Sequence, residues 1–533
     1  MNQRTRAALS GDGSLGAASW SLVVVTVVAF VVRAAAYVRP SQLLAPRELD
    51  DATMYSAAVD VLHGQTLYGD VLYLHPPGLV TALLPFAWLG EHVGDALALA
   101  VARALTVLVG TLSTFLVAWL LRRRGTVAVL AGAGLYAVWV PVVYSERVVF
   151  LEPALTLCLL LALVVLRLDR PTGAARGWLR PTTTAPLVAG ALTGVAASFK
   201  VWAFVTAAAL LVVVLVWRGG RAAGWFALGG LVVVAAFVVS FAVRAPGDLW
   251  RDVVGVQAGR PSTTTSFGLR LREFAPVSSV PAAWWTTALA VLVLVLVVVA
   301  LALTLARGVV AWRRDRSGLP ETAAWALLAL VQGATVLAAP SFFLHYAAFP
   351  APAIALLAGA GAATAAAWLR AWAGTSPDRG RAVVLRTVAV VAVLALAGAA
   401  IAGATARLRW TGSRAELVTW AAQQDCVWGL ASGVVAAGAA TRNAENDCPV
   451  PADVWGEGLA ALDDSGDGAG EGGAVEERDA FVAEMQRELA QVDAVVVPIV
   501  TDGTWLHGAA EAYLSRNFDH VGTAGGFEMW ERT

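Results

Sequence analysis

Charge is what this chain has least of. Only 14% of its 533 residues are Asp, Glu, Lys or Arg, whereas soluble domains carry about a quarter. That scarcity, with 58% hydrophobic residues and a mean hydropathy of +0.68, excludes a soluble globular protein. Basic runs are also missing. The 38 basic residues balance the 38 acidic ones, and nothing beyond the short loops is strongly basic, so no nucleic-acid partner is expected. Cysteine is rare, at three residues. Cys158 lies in an apolar run and reads as core. Cys426 and Cys448 share a polar tail, where an oxidising, extracytoplasmic compartment would let them pair. No cluster of His, Cys, Asp or Glu has metal-ligand spacing, so no metal site is assigned, and a requirement for a divalent cation stays open. Residues 1–16 lack a small-residue cleavage site and lead into a full-length span, which reads as an uncleaved first helix.

What is present is oil in long runs. Apolar stretches of about 20 residues, enough to cross a bilayer, recur from Trp20 to about residue 404. Taken in order they fall at 22–37, 96–121, 127–143, 149–166, 184–199, 201–217, 224–243, 284–306, 322–339, 347–369 and 382–405. Every other connection is basic, including Arg122-Arg123-Arg124 and the stretches 167–180, 218–221, 307–316 and 370–386. Basic loops stay in the cytoplasm. The pattern therefore predicts a multi-pass plasma-membrane protein of about eleven transmembrane helices, N-terminus inside and tail outside. It holds only if the short apolar run 78–89 is an interfacial or re-entrant piece. Residues 38–95 then form a first external loop, in which 52–62 has helical spacing and is expected to lie on the membrane surface. Residues 245–283 form a second long external loop. The tail, 406–533, alternates short patterns: strands at 425–432 and 494–500, helices at 479–489 and 508–517, and closing strands within 520–532. It reads as a small extracytoplasmic α/β domain appended to a membrane domain, 1–405. The Gly- and acid-rich stretch 463–477 lacks EF-hand spacing and reads as a flexible loop.

The polar residues converge on the outer side. Carboxylates (Asp50, Asp51, Glu146, Glu152) stand with cations (Arg147, Lys200, Arg260) and neutral or titratable donors (Tyr55, Tyr73, His75, His345, Tyr346). Ionisable groups at a bilayer are costly and by default mark a site. A carboxylate can take a proton from an acceptor hydroxyl, and cations can hold a phosphate and offset the charge that grows as it leaves. A sugar on a membrane-embedded polyprenyl phosphate needs both. Asp51 could equally cap the helix that follows it. Glu152 could cap a helix begun by Pro153, and Lys200 could snorkel to the interface.

Three stretches carry a resemblance: Asp51–Tyr55, Gly64–Tyr68 and Tyr73–Gly78, which together read Asp-x-x-x-Tyr, Gly-x-x-x-Tyr and aromatic-x-His-Pro-Pro-Gly. In this order they resemble the first external loop of the GT-C glycosyltransferases, nearest to the protein O-mannosyltransferase-like, aminoarabinose-transferase-like and actinobacterial polyprenyl-phosphate-sugar-dependent branches. Ser145-Glu146-Arg147 with Leu151-Glu152-Pro153, the Gly194–Lys200 helix end, and His345-Tyr346 before Pro350 resemble later landmarks of the same superfamily. The resemblance implies inverting transfer of a sugar, mannose or arabinofuranose, from a polyprenyl-phosphate carrier to a glycan, glycolipid or protein acceptor. It puts the base on Asp51, with Asp50 second, and the second acidic role on Glu152, with Glu146 second. It puts the lipid phosphate on Lys200 and a loop arginine such as Arg260, with Arg147 nearby. His75 stands where relatives carry lysine. Tyr55, Tyr73, His345 and Tyr346 would contact substrate. A lipid flippase or a non-catalytic envelope-assembly protein is the competing reading. Transporters, however, place ionisable groups near the midplane, and here they sit at the outer helix ends.

Overall fold

A computed structural model describes residues 20–37, 43–45, 48–168, 183–259, 266–274, 321–373, 414–465, 478–499, 506 and 508–533, with a few isolated positions between 298 and 310 and at 398. The spans expected at 284–306 and 382–405, and most of the acidic stretch 463–477, lie outside the described residues.

The membrane part opens with α1 (Trp20–Tyr37) and a helix on the site's side, α2 (Leu49–Leu62). Then come α3 (Gly78–Val93), α4 (Asp95–Leu121), α5 (Thr126–Val138), α6 (Val140–Ser145), α7 (Leu151–Leu168), α8 (Thr184–Phe199), α9 (Trp202–Arg218) and α10 (Gly220–Ala242). Short helical turns fill 246–259, followed by α11 (Phe267–Glu273), α12 (Glu321–Ala338) and α13 (Ala351–Ala373). Among the described residues, five helices are long and apolar enough to cross a membrane, and the expected count of about eleven is not reached on length and composition. One reason is visible in the expected span 127–143. It is split at Trp139, whose extended backbone separates α5 from α6, and Pro141 starts the second piece. Proline supplies no N–H to the preceding turn, so the helix breaks there.

Two expectations for the first external loop meet different outcomes. Helix α3 lies along the face that carries the tail. Its N-terminal Gly78 packs on the backbone of Ser198 and Phe199, and its Gly90 meets Tyr55 and Asp95. With 16 residues it falls among the shorter apolar helices, in keeping with the short run expected at 78–89. Helix α2 is not a surface helix. It begins three residues earlier than expected, is buried without interruption from Asp51 to Asp60, and is covered by two helices of the tail.

The tail contains α14 (Ala415–Ala421), β1 (Val427–Gly429), α15 (Ala431–Ala437), α16 (Ala440–Glu445), α17 (Val454–Ser465), α18 (Asp479–Leu489), β2 (Ala494–Pro498), α19 (Gly508–Asn517), β3 (Phe518–Ala524) and β4 (Phe527–Arg532). Its sheet runs β1-β2-β4-β3, with β1 parallel to β2 and the other pairs antiparallel. Valines of β2 are buried on both faces, as a central strand requires. Cys426 and Cys448 are joined by a disulfide across 22 residues, a closure that stabilises a domain by about 3 kcal/mol. The tail docks on the membrane part through α15 and α16 against α2, and through Thr441, whose hydroxyl donates to Asp95 Oδ1 at 2.6 Å. Apolar contact is continuous across this junction, from Tyr55 and Ala58 to Ala431 and Val435.

Candidate active site

A cavity of about 430 Å³ opens where the first loop, the ends of several helices and the tail meet. Its acidic wall is the first turn of α2. Asp50 lines the cavity and is exposed, and Glu48 stands just before the helix. Burial, then the neighbouring aspartates, push Glu48 up to about 7 against the pull of Tyr144. Asp50 is the carboxylate of this wall that water reaches.

The opposite wall is built on the chain reversal between α8 and α9. Lys200 ends α8 with an extended backbone. Its side chain is buried and donates to Glu152 Oε1 at 2.6 Å. The ammonium also sits 4.1 Å from the ring centre of Trp202 and 4.2 Å from that of Tyr346, where the aromatic faces stabilise a desolvated cation. The second oxygen of Glu152 is buried without a partner among the described residues. His345 stacks on Phe150 with ring centres 4.3 Å apart and brings Nε2 to 4.0 Å from Glu152. Tyr73 and His75 line the floor. Tyr73 Oη donates to Met54 Sδ at 3.0 Å, and Gln257 holds the strip by donating to the Leu74 carbonyl at 2.8 Å. The tail closes the rim with Asp453 and Trp455 at the start of α17.

Seven of the residues expected from sequence thus share one cavity: Asp50, Glu152, Lys200, His75, Tyr73, His345 and Tyr346. Others do not reach it. Asp51 points into the protein, fully buried, and takes a two-pronged ion pair from Arg103, Nε to Oδ2 at 2.6 Å and Nη2 to Oδ1 at 3.0 Å. Tyr55 shares that buried side and donates to Asp95 at 3.2 Å. Glu146 is locked between helices, with Arg33 Nε at 2.7 Å on one oxygen and the Tyr136 hydroxyl at 2.7 Å on the other. Arg147 is buried and lies over the Tyr144 ring at 5.9 Å. Arg260 lies outside the described residues. Glu48, Tyr144 and Gln257 lie in polar stretches that stand out in the sequence but were given no individual role, and Asp453 and Trp455 were not foreseen. Glu48 belongs to the acidic triplet visible in the sequence. Asp453 and Trp455 arrive from about 400 residues downstream, with no local signal. Among the described residues, no three His, Cys, Asp or Glu side chains come together to hold a metal ion.

A multi-pass membrane domain, with a polar cavity at the helix ends capped by an appended α/β domain, is an architecture to which the comparisons give a fold name. No family model matches the chain, and no curated protein matches it. Among solved structures it is similar to ArnT from Cupriavidus metallidurans bound to undecaprenyl phosphate, at 15% identity over 96% of this chain and 97% of that one, with a TM-score of 0.55. It is also similar to the archaeal oligosaccharyltransferase AglB from Archaeoglobus fulgidus in complex with an inhibitory peptide and a dolichol-phosphate, at 12% identity over 97% of this chain and 74% of that one, TM-score 0.55. These neighbours are GT-C glycosyltransferases, and the chain has the GT-C fold.

Proposed function

We propose that the chain is an inverting glycosyltransferase that moves a sugar from a polyprenyl-phosphate carrier to an acceptor hydroxyl on the extracytoplasmic face. The observation that carries this reading is the cavity itself: a water-accessible carboxylate, Asp50, shares it with a buried, aromatic-caged lysine. In this reading Asp50 takes the proton of the acceptor hydroxyl. The acceptor oxygen bonds to the anomeric carbon as the sugar–phosphate bond breaks from the other side. Lys200, with N–H groups left beyond the one given to Glu152, and His345 offset the charge on the departing phosphate. Glu152 orients both. The undecaprenyl phosphate bound to ArnT and the dolichol-phosphate bound to AglB support a lipid-phosphate donor. The donor sugar is mannose or arabinofuranose, and the acceptor is a glycan, glycolipid or protein. The tail, 406–533, and the cavity face outward, with the N-terminus in the cytoplasm, as the basic loops require.

The test is transfer of radiolabelled sugar from purified polyprenyl-phosphate donors by the reconstituted protein. Wild type is expected to transfer, and Asp50→Asn to lose at least 100-fold, of the order that general-base catalysis supplies (about 10²–10⁴-fold). Full activity in Asp50→Asn removes the base from this residue. Absence of transfer from every donor, in folded wild-type protein given envelope extract, removes the reaction.

A further inference from the structure

Asp95 is a buried carboxylate to which the proposed reaction gives no part. It is the first residue of α4 and is 1% exposed. Arg414 of the tail acts on it only electrostatically, its Nε being given to the Ala436 carbonyl. Four neutral donors meet the carboxylate instead. Thr441 donates twice, from its hydroxyl to Oδ1 at 2.6 Å and from its backbone N–H to Oδ2 at 3.3 Å. The backbone N–H of Ala440 and the Tyr55 hydroxyl, 3.2 Å from Oδ1, complete the set.

An acidic residue in the first turn of a helix is favoured by the helix dipole, which alone could account for Asp95. Its hydrogen bonds point elsewhere. The N–H groups of Leu97 and Ala98 in its own helix turn to the Gly94 carbonyl, and the donors to Asp95 come from α2 and α16. Ala440 and Thr441 open α16, and Ala439 before them has no side chain able to cap. Asp95, 346 residues before Thr441, takes those N–H groups in its place. The surroundings leave room for this meeting and little else: a Cβ at Gly90 of α3 would fall on the Tyr55 hydroxyl.

This junction reaches the candidate active site along two routes. On α2, Asp51 lies about one turn before Tyr55 and is held by Arg103, about two turns along α4 from Asp95. Helix α2 is thus fixed to α4 at two points on one face, which sets its rotation about its own axis. Asp50 is about 100° round the helix from Asp51, so that rotation decides whether Asp50 lines the cavity. In the tail, Asn443 of α16 bonds the Val427 N–H and carbonyl of β1 at 3.0 and 2.8 Å. The chain then runs through Cys448, bonded to Cys426, to Asp453 and Trp455 on the cavity rim. We infer that Asp95 is a positioning residue, which joins Tyr55 of α2 to Thr441 of the tail and so sets Asp50 against the rim that the tail supplies. The effect on turnover rests on the glycosyltransferase reading, and the effect on the surroundings of Asp50 does not.

The experiment takes two readouts from the full chain in nanodiscs. Thr441→Val removes the hydroxyl and keeps the branched shape, and Thr441→Ser keeps the hydroxyl. In sugar transfer, Thr441→Val is expected to lower kcat at least tenfold with KM for donor and acceptor within twofold of wild type, since misplacing a group by about 1 Å can cost about 100-fold. Thr441→Ser is expected to stay within threefold of wild type. The second readout needs no turnover. A cysteine placed by Asp50→Cys, in a Cys158→Ser background, is expected to react with a water-soluble maleimide at a rate that changes at least threefold on adding Thr441→Val and returns with Thr441→Ser. Tyr55→Phe breaks the same junction from the other side, is expected to behave as Thr441→Val, and serves where that variant does not fold. Unchanged labelling overturns the inference, and so does an unchanged kcat in a protein that transfers. A fall in kcat that Thr441→Ser fails to share in recovering, or that only tracks loss of folded protein, overturns it as well and leaves the contact structural. A labelling shift in a protein that transfers no sugar supports the positioning of Asp50 and fails only the proposed reaction.

Discussion

Asp50 and Asp51 are one position apart, hence about 100° apart around a helix. That rotation puts one carboxylate in the cavity and the other against Arg103. The motif that draws attention to this turn also explains why it selects the side that faces the protein interior. Residues four apart share a helix face, so Asp51 and Tyr55 are coupled by spacing, and the face they share is the buried one. Spacing locates the turn, and packing decides which carboxylate lines the cavity. The two asparagine variants should therefore fail differently. Asp51→Asn leaves the Arg103 guanidinium buried at 1% exposure with its charge unmatched, and removing one partner of a buried pair costs about 3–5 kcal/mol. Its denaturation midpoint should drop accordingly. Asp50→Asn, at an exposed position, should stay within about 0.5 kcal/mol of wild type while losing transfer. Equal stability of the two, with transfer lost only in Asp51→Asn, would reverse the assignment.

Helices α8 and α10 cross with almost no side chain between them. A Cβ at Gly190 would fall inside contact distance of the Phe226 carbonyl, and one at Gly229 inside that of Leu187. Close crossing on small residues is how helices pack where lipid offers no hydrophobic drive. The crossing fixes α8, and α8 carries Lys200 at its end. Gly190→Leu should therefore act twice. Overpacking of this kind costs about 1–3 kcal/mol, read as a lower melting temperature in detergent. It should also lower transfer more than lipid binding, because Lys200 shifts relative to Glu152. A variant with a lowered melting temperature and unchanged transfer would separate the crossing from the site. Hydropathy makes these helices legible because each one's burial in lipid is a local property of its own residues. The glycines' partners are not legible, because which helices touch is decided by neighbours 36 and 42 residues away.

At the scale of the whole molecule, the tail is bound into the membrane part. Tyr55 and Ala58 of the first loop pack in one apolar cluster with Ala431 and Val435 of the tail. The α/β pattern of the tail is legible in the sequence, because strand and helix periods are written locally. The docking is not legible there; it buries α2 and places Glu48, Asp60 and Glu457 in low-dielectric surroundings. Burial is the largest cause pushing each of these up to about 7, from ordinary values of 4.5, 3.8 and 4.5. The sign follows from proton counting. Between the unfolded value, about 4, and the folded value, about 7, the native state holds protons that the unfolded chain has released, so stability falls as pH rises. These groups contribute stability that is fully present below about pH 4 and is lost as pH rises through about 7. Melting temperatures in nanodiscs should therefore decline from pH 5 to pH 8 in wild type, with a shallower decline in Asp60→Asn and Glu457→Gln and the shallowest when both are combined. Because neither Asp60 nor Glu457 lines the candidate active site, the difference between variant and wild-type slopes isolates these two carboxylates. Parallel slopes would mean that burial does not hold protons on Asp60 and Glu457 in the folded protein.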